Sequence, residues 1–337
     1  MPHPNLLSTA WFQTACLSAV VLLGAMSPWM STSALAEDDY PTRSITMVVP
    51  FPPGGVADTV GRPVAEAMSR ALKQTLVVEN KGGAGGGIGM AQVAKAKGDG
   101  YNVLMSLSSI VVLPEADKVL KRSPLFTLDQ LKPIARFTAD PTALVVRADS
   151  PWKTYADFIA LAKARPGAVT FGSSGNYGTM HVPMEQLKAA TGTYMLHVPY
   201  TGAGPAVLAL LAGQIDAVAT GPSSVMQHVR AGKLRILAHW GDGRLAAIPE
   251  VPSFKELGVP IQYSQWSGLF VPASTPEPVV AKLRQAARAA AQDERARSTL
   301  VAAGTSFQYL DAPEFERFVQ TDARQMIGLV QRIGRLE

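Results

Sequence analysis

This 337-residue sequence predicts an α/β fold of two lobes, each a mostly parallel sheet flanked by helices, with a ligand cleft between them. Three observations predict it. From Ile45 onward, apolar strand-like runs alternate with amphipathic segments, the pattern of parallel strands with helices on both sheet faces. The part beyond residue 36, about 300 residues, suits two domains. Two proline-marked crossovers, Ala139-Asp140-Pro141 and Ile248-Pro249-Glu250-Val251-Pro252, let the chain leave one domain, build a second and return. That path places a cleft between lobes joined by two strands, a favoured small-molecule site that can close by hinging. The expected lobes are 37–140 with 251–337, and 141–250.

The leader comes first. Residues 1–36 contain no Lys, Arg, Asp or Glu. An apolar run, Ala15–Met26, precedes Pro28 and the Ala34-Leu35-Ala36 site ahead of Glu37-Asp38-Asp39. This reads as a secretory signal peptide cut after Ala36, which places the mature protein in the periplasm. A membrane anchor is the competing reading, but about a dozen apolar residues fall short of the roughly 20 that span a bilayer. Cys16, the one cysteine, leaves with the leader, so thiol chemistry and disulfides are not expected.

The strand candidates, each a short apolar or β-branched run, are Ile45–Val49, Thr75–Glu79, Asn102–Ser106, Ile134–Phe137, Thr142–Val146, Val169–Gly172, Tyr194–Val198, Ala217–Thr220, Leu234–His239 and Ser267–Val271. Helical spacing marks Val56–Leu72, Ile88–Ala96, Tyr155–Ala164, His181–Thr191 and Gly204–Ala212 between them. The C-terminal third reads as two long helices, Pro276–Ala303 and Ala312–Ile333. No fixed-period repeat is visible.

Charge narrows the partners. The chain has 31 Lys+Arg against 26 Asp+Glu, formally +5. The basic residues are scattered and not interleaved with aromatics, so nucleic acid is not an expected partner. A weak positive field attracts small anions.

Four strand–turn–helix junctions carry the candidate chemistry. Pro50-Phe51-Pro52-Pro53-Gly54-Gly55-Val56-Ala57-Asp58 runs from a strand into a helix. Alone it reads either as an ordinary βα loop or as an anion site made from helix N–H groups and glycines that admit a ligand. Gly172-Ser173-Ser174-Gly175-Asn176-Tyr177-Gly178-Thr179-Met180-His181 repeats that logic, with Ser173, Ser174, Asn176 and Thr179 able to cap the helix or donate to a ligand. Two such turns could grip one anion from both sides of a cleft. His197-Val198-Pro199-Tyr200 leads into Thr201-Gly202-Ala203-Gly204, where Tyr200 either reaches a ligand or packs. The Gly-rich run Gly82–Gly89 fits neither G-x-G-x-x-G nor a Walker loop, so it reads as a flexible connection with close helix packing.

Catalysis has no clear carrier. Gly172-Ser173-Ser174-Gly175 lacks the spacing of a nucleophile elbow. No H-E-x-x-H, cysteine pair or close His/Asp cluster suggests a metal. An exported hydrolase using Ser174 and His181 is the enzymatic alternative. Trp266 is a candidate cleft-lining residue.

An ordered set of motifs then points to a family: Pro50–Asp58, Val78-Glu79-Asn80-Lys81 with Gly83-Ala84-Gly85-Gly86, Gly98-Asp99-Gly100-Tyr101, Gly172-Ser173-Ser174-Gly175 through His181, His197-Val198-Pro199-Tyr200 with Gly202–Ala206, and Val251-Pro252-Ser253 with Glu256-Leu257-Gly258. The set closely resembles the Bug (TctC-like) family of periplasmic solute receptors for tripartite tricarboxylate transporters, across almost the whole mature chain. The resemblance implies the two-lobed periplasmic-binding-protein fold, no enzymatic activity, no cofactor, a monomer, and delivery of a small organic acid to membrane transporter subunits. A sensor that signals to a membrane kinase would use the same lobes.

The resemblance also implies a carboxylate held by backbone N–H groups and small side chains of the two turns. The implied ligand residues are Phe51, Pro53, Gly54, Gly55, Asp58, Ser108, Ser173, Ser174, Gly175, Asn176, Thr179, His181, Tyr200 and Thr220. Three places depart from the family pattern: Thr201, Ala219-Thr220-Gly221, and the bulkier Asn176–Met180 string. They surround the expected pocket, so no relative's ligand transfers directly.

Overall fold

The computed structural model describes residues 40–334, and the leader lies outside them. Six strands build the first sheet: β1 (Ile45–Val49), β2 (Leu76–Asn80), β3 (Asn102–Leu107), β4 (Leu131–Pro141), β10 (Ser264–Pro272) and β11 (Leu310–Asp311), in the order β11-β4-β10-β3-β1-β2. Five build the second: β5 (Ala143–Arg147), β6 (Thr170–Ser173), β7 (Leu196–Pro199), β8 (Ala217–Thr220) and β9 (Leu234–His239), in the order β7-β6-β8-β5-β9. The chain changes sheet between Pro141 and Ala143 and returns between His239 and Ser264. On the way back Phe254 packs edge-on against Tyr155 and Trp240, with centroids 5.2 and 4.4 Å away.

Each sheet has a parallel half and an antiparallel half. β1 pairs in parallel with β2 and β3, and β6 with β7 and β8. β10 runs antiparallel to β3 and β4, and β5 antiparallel to β8 and β9. The reversal has a simple cause. β5 and β10 are the strands that bring the chain in from the other lobe, so they start at the junction where β1, β3, β6 and β8 end. Those carboxyl ends therefore meet at one cleft, the usual ligand position in such sheets. At the junction Trp240 N donates to Thr142 O at 2.9 Å and Tyr263 N to Trp240 O at 3.2 Å, which ties the connections side by side.

Local sequence explains the helices, among which α2 (Gly87–Ala94), α3 (Leu113–Val119), α6 (Ala203–Leu211) and α7 (Met226–Arg230) are short. In α1 (Val56–Leu72), Val56, Val60, Val64 and Met68 fall one turn apart and are buried. α4 (Tyr155–Ala164) opens on a capping box between Thr154 and Asp157, and α5 (His181–Thr191) ends on left-handed Gly192. The expected helix Pro276–Ala303 is two, α8 (Glu277–Gln292) and α9 (Glu294–Ala302). Asp293 breaks it: its backbone is extended and its side chain accepts from Ala296 N at 2.9 Å, which starts a new helix. α10 (Ala312–Ile333) begins at Asp311, which accepts from Ala312 N and pairs with Arg284 and Arg288. Trp266, expected near the cleft, lies instead in the first lobe's core. Its Nε1 donates to Asp322 at 2.7 Å and its ring packs on Phe315.

Candidate functional site

The first turn is fixed by its own aspartate. Asp58 accepts from Gly54 N at 3.0 Å, from Asn80 Nδ2 at 3.0 Å and from Arg62 at 2.8 Å. Burial alone would raise this carboxyl, but hydrogen bonds from Arg62, Asn80 and Gly54 outweigh it and hold it below the usual carboxylate range. Asp58 thus ties the loop to β2. Gly54 has φ +79, whereas Gly55 has φ −85 and needs no glycine on that ground. Phe51 is buried with its ring under Gly86, and Pro53 is exposed. Val56 and Ala57 are buried at the start of α1, where their N–H groups have no acceptor within the helix.

The Gly202–Gly204 loop of the second lobe closes on this one: a Cβ on Gly202 would come 2.5 Å from Pro52 Cδ and one on Gly204 2.6 Å from Pro53 O, whereas the second turn meets the Gly-rich run. A Cβ placed on Gly175 would come 2.9 Å from Gly85 N, and one on Gly221 would come 3.0 Å from Val56 Cγ2. Ser109 Oγ donates to Gly85 O at 3.1 Å, which links the end of β3 to the same seam. Gln265, on β10 of the first lobe, crosses the cleft. Its Nε2 donates to Thr179 Oγ1 at 2.7 Å and its Oε1 accepts from Gly221 N at 2.9 Å. Gln265 is 1% exposed.

Several expected ligand residues are engaged by protein. Ser173 Oγ lies 2.6 Å from His197 Nε2 and accepts from Gly175 N at 3.1 Å. His181 is fully buried, accepts from Tyr177 N at Nδ1 and has Nε2 3.3 Å from Glu185 Oε1. Thr220 Oγ1 shares a hydrogen bond with Ser224 Oγ at 2.9 Å. The Tyr200 ring packs over Gly172 and the second lobe's core, and Asn176 is exposed at the rim. Burial, with His181 beside it, pushes the His197 imidazole down to about 3, so it is neutral. Ser173 and His197 form a contact with no third residue orienting the imidazole among the described hydrogen bonds, unlike a catalytic triad.

The hydroxyls of Ser108 at the end of β3 and Tyr263 at the junction are buried beside one another, and the Ser174 hydroxyl at the end of β6 is buried with no protein partner; the residues are 2%, 4% and 2% exposed. Buried hydroxyls are normally hydrogen-bonded, so such groups call for a water or a ligand. Burial raises the Tyr263 phenol well above its ordinary range, so it is a neutral donor. Tyr263 and Gln265 escaped the sequence reading because the strand was expected to start at Ser267. A buried polar residue two positions before an apolar strand was the signal available.

The family model for the tripartite tricarboxylate transporter family receptor matches residues 60–335. The chain belongs to that receptor family. It is similar to the protein BugT of Bordetella pertussis, 32% identical over 318 residues, with 93% of this chain and 97% of BugT covered. Among solved structures the receptor is similar to MatC from Rhodopseudomonas palustris with bound malate, with TM-score 0.80, 29% identity, and 86% of this chain and 100% of MatC covered. It is similar, too, to an R. palustris protein with adipate, with TM-score 0.82, 26% identity, and 88% and 98% of the two chains covered. The receptor is not an enzyme, and its two lobes are those of periplasmic binding proteins.

Proposed function

We propose that this receptor is exported, captures a small carboxylate between its lobes, and delivers it to a tripartite tricarboxylate-type membrane transporter. One observation carries the reading: the Val56 and Ala57 N–H groups at the start of α1 have no acceptor within the helix, and at the strand ends that meet the cleft the Ser174 hydroxyl is buried without a protein partner and the Ser108 and Tyr263 hydroxyls are buried together. A carboxylate supplies acceptors, which matches helix-start N–H groups and hydroxyl donors. The malate in MatC and the adipate in the second R. palustris protein agree in chemical class.

In this reading Val56 and Ala57 N–H, Ser108 and Ser174 meet the carboxylate. Asp58, Ser173, Thr179, His181 and Thr220 hold the loops that present those groups. Ligand contacts from both lobes favour the closed form. Export rests on the leader and on cleavage after Ala36. A thermal-shift screen of the mature protein over organic acids tests the reading. A ligand at 100 times its Kd stabilises by about 2.7 kcal/mol, and a panel in which no carboxylate raises Tm would reject it.

A further inference from the structure

Both connections between the lobes meet at Tyr263. Thr142 N donates to Tyr263 O at 3.3 Å, and Tyr263 N donates to Trp240 O at 3.2 Å. Tyr263 is thus fastened to the outward connection and to the start of the return. Its ring is packed in the core, with the residue 4% exposed. Backbone and ring together fix the phenol, and its hydroxyl lies beside that of Ser108. Among the described residues, neither oxygen makes a hydrogen bond with a third protein group. Ser174 differs, because its buried hydroxyl has no such neighbour.

Two adjacent hydroxyls carry two protons, and only one of these can lie between the oxygens. The phenol is the more acidic group, and burial keeps it protonated, so it is the donor of the pair. Ser108 Oγ then accepts, and its own proton points elsewhere. Resting on the carboxylate reading, we propose that Tyr263 is a positioning residue: its OH donates to Ser108 Oγ and commits the Ser108 proton to the solute carboxylate. Hydrogen bonds in such a chain polarise one another, so the Ser108 bond to the carboxylate is strengthened by the phenol behind it. The two serines of the clamp then differ in kind. Ser108 is an oriented donor held from the lobe connections, and Ser174 is a hydroxyl that turns to suit the solute.

A double-mutant cycle read by titration calorimetry of the mature protein with malate and with adipate tests this. Tyr263→Phe keeps the packed ring and removes only the hydroxyl. It is expected to weaken the better-bound acid by about fivefold or more in wild type and in Ser174→Ala. In Ser108→Ala the same change is expected to cost less than about twofold, because the group it positions is gone. A loss of equal size in all three backgrounds shows Tyr263 acting without Ser108 and overturns the inference. No loss in wild type overturns it too, and both results leave the clamp standing. Binding of neither acid by folded wild-type protein rejects the clamp reading and this inference with it.

Discussion

Gln265 Nε2 donates to Thr179 Oγ1 at 2.7 Å, and the two residues belong to different lobes. The same side chain accepts from Gly221 N, so one glutamine of β10 fastens both loops of the second lobe. Gln265→Leu leaves Gly221 N and Thr179 Oγ1 without this partner when the lobes close, a loss of about 1–3 kcal/mol. Ligand affinity should fall roughly 5- to 150-fold with little change in the melting temperature of the free protein. In calorimetric titrations the Gln265→Leu/Thr179→Val double variant should lose less than the sum of the two singles. Strict additivity would sever the link.

Asp58 is predicted to act through the first loop. Asp58→Ala releases Gly54 N, Arg62 and Asn80 together and should destabilise by about 2–3 kcal/mol, measured by urea unfolding. Because its folded-state pKa is lowered, its contribution is full above the usual carboxylate range and is lost as pH falls through the lowered value. Asp58→Asn should flatten that acid limb of the stability curve. An unchanged limb would show that Asp58 does not hold the loop by charge.

Gly55 and Gly175, one in each turn, separate on geometry. Gly175 has φ +111 and no room toward Gly85 N, so Gly175→Val strains the backbone and blocks closure. It should abolish binding while circular dichroism stays native. Gly55 has φ −85, and a Cβ there meets Ala203 Cβ at an ordinary 3.5 Å. Gly55→Ala should therefore keep affinity within about threefold, under 1 kcal/mol.

His197 predicts a pH response of opposite origin to a salt bridge. Its pKa is lowered to about 3 chiefly by burial, with His181 and Lys188 adding to the shift and Glu185 opposing it. The unfolded chain therefore takes up the proton first, and stability present above about pH 6.5 falls as pH drops toward 3. Melting temperatures between pH 7 and 5 should fall less steeply in His197→Gln than in wild type. Parallel slopes would remove His197 from this account.

Most of the frame was legible in the sequence, for identifiable reasons. β1, β8, β9, α1, α4 and α5 follow clean periodicity bounded by glycine, proline or capping residues, and their observed ends match the expected ones. The break at Asp293 was hidden because Ala and Leu keep helical spacing on both sides of a residue that caps from outside. The two-residue β11 has no periodicity to read. The antiparallel strands follow from where the chain enters each lobe, which is a property of the path. At the site the two turns stood out through their glycines. The division of labour within them did not, since Ser173 and Ser174 are adjacent and chemically identical. Only the fold shows that Ser173 meets His197 while the Ser174 hydroxyl has no protein partner.

The central claim is that the buried Ser108 and Ser174 hydroxyls and the amides at the start of α1 hold a carboxylate. Titration calorimetry of wild type and of Ser108→Ala/Ser174→Ala, with the acid that gives the largest thermal shift, tests it most directly. Each hydrogen bond to a charged acceptor is worth about 1.5–3 kcal/mol, so the double variant should lose at least two orders of magnitude in affinity while remaining folded. Unchanged affinity in a folded double variant would contradict the account.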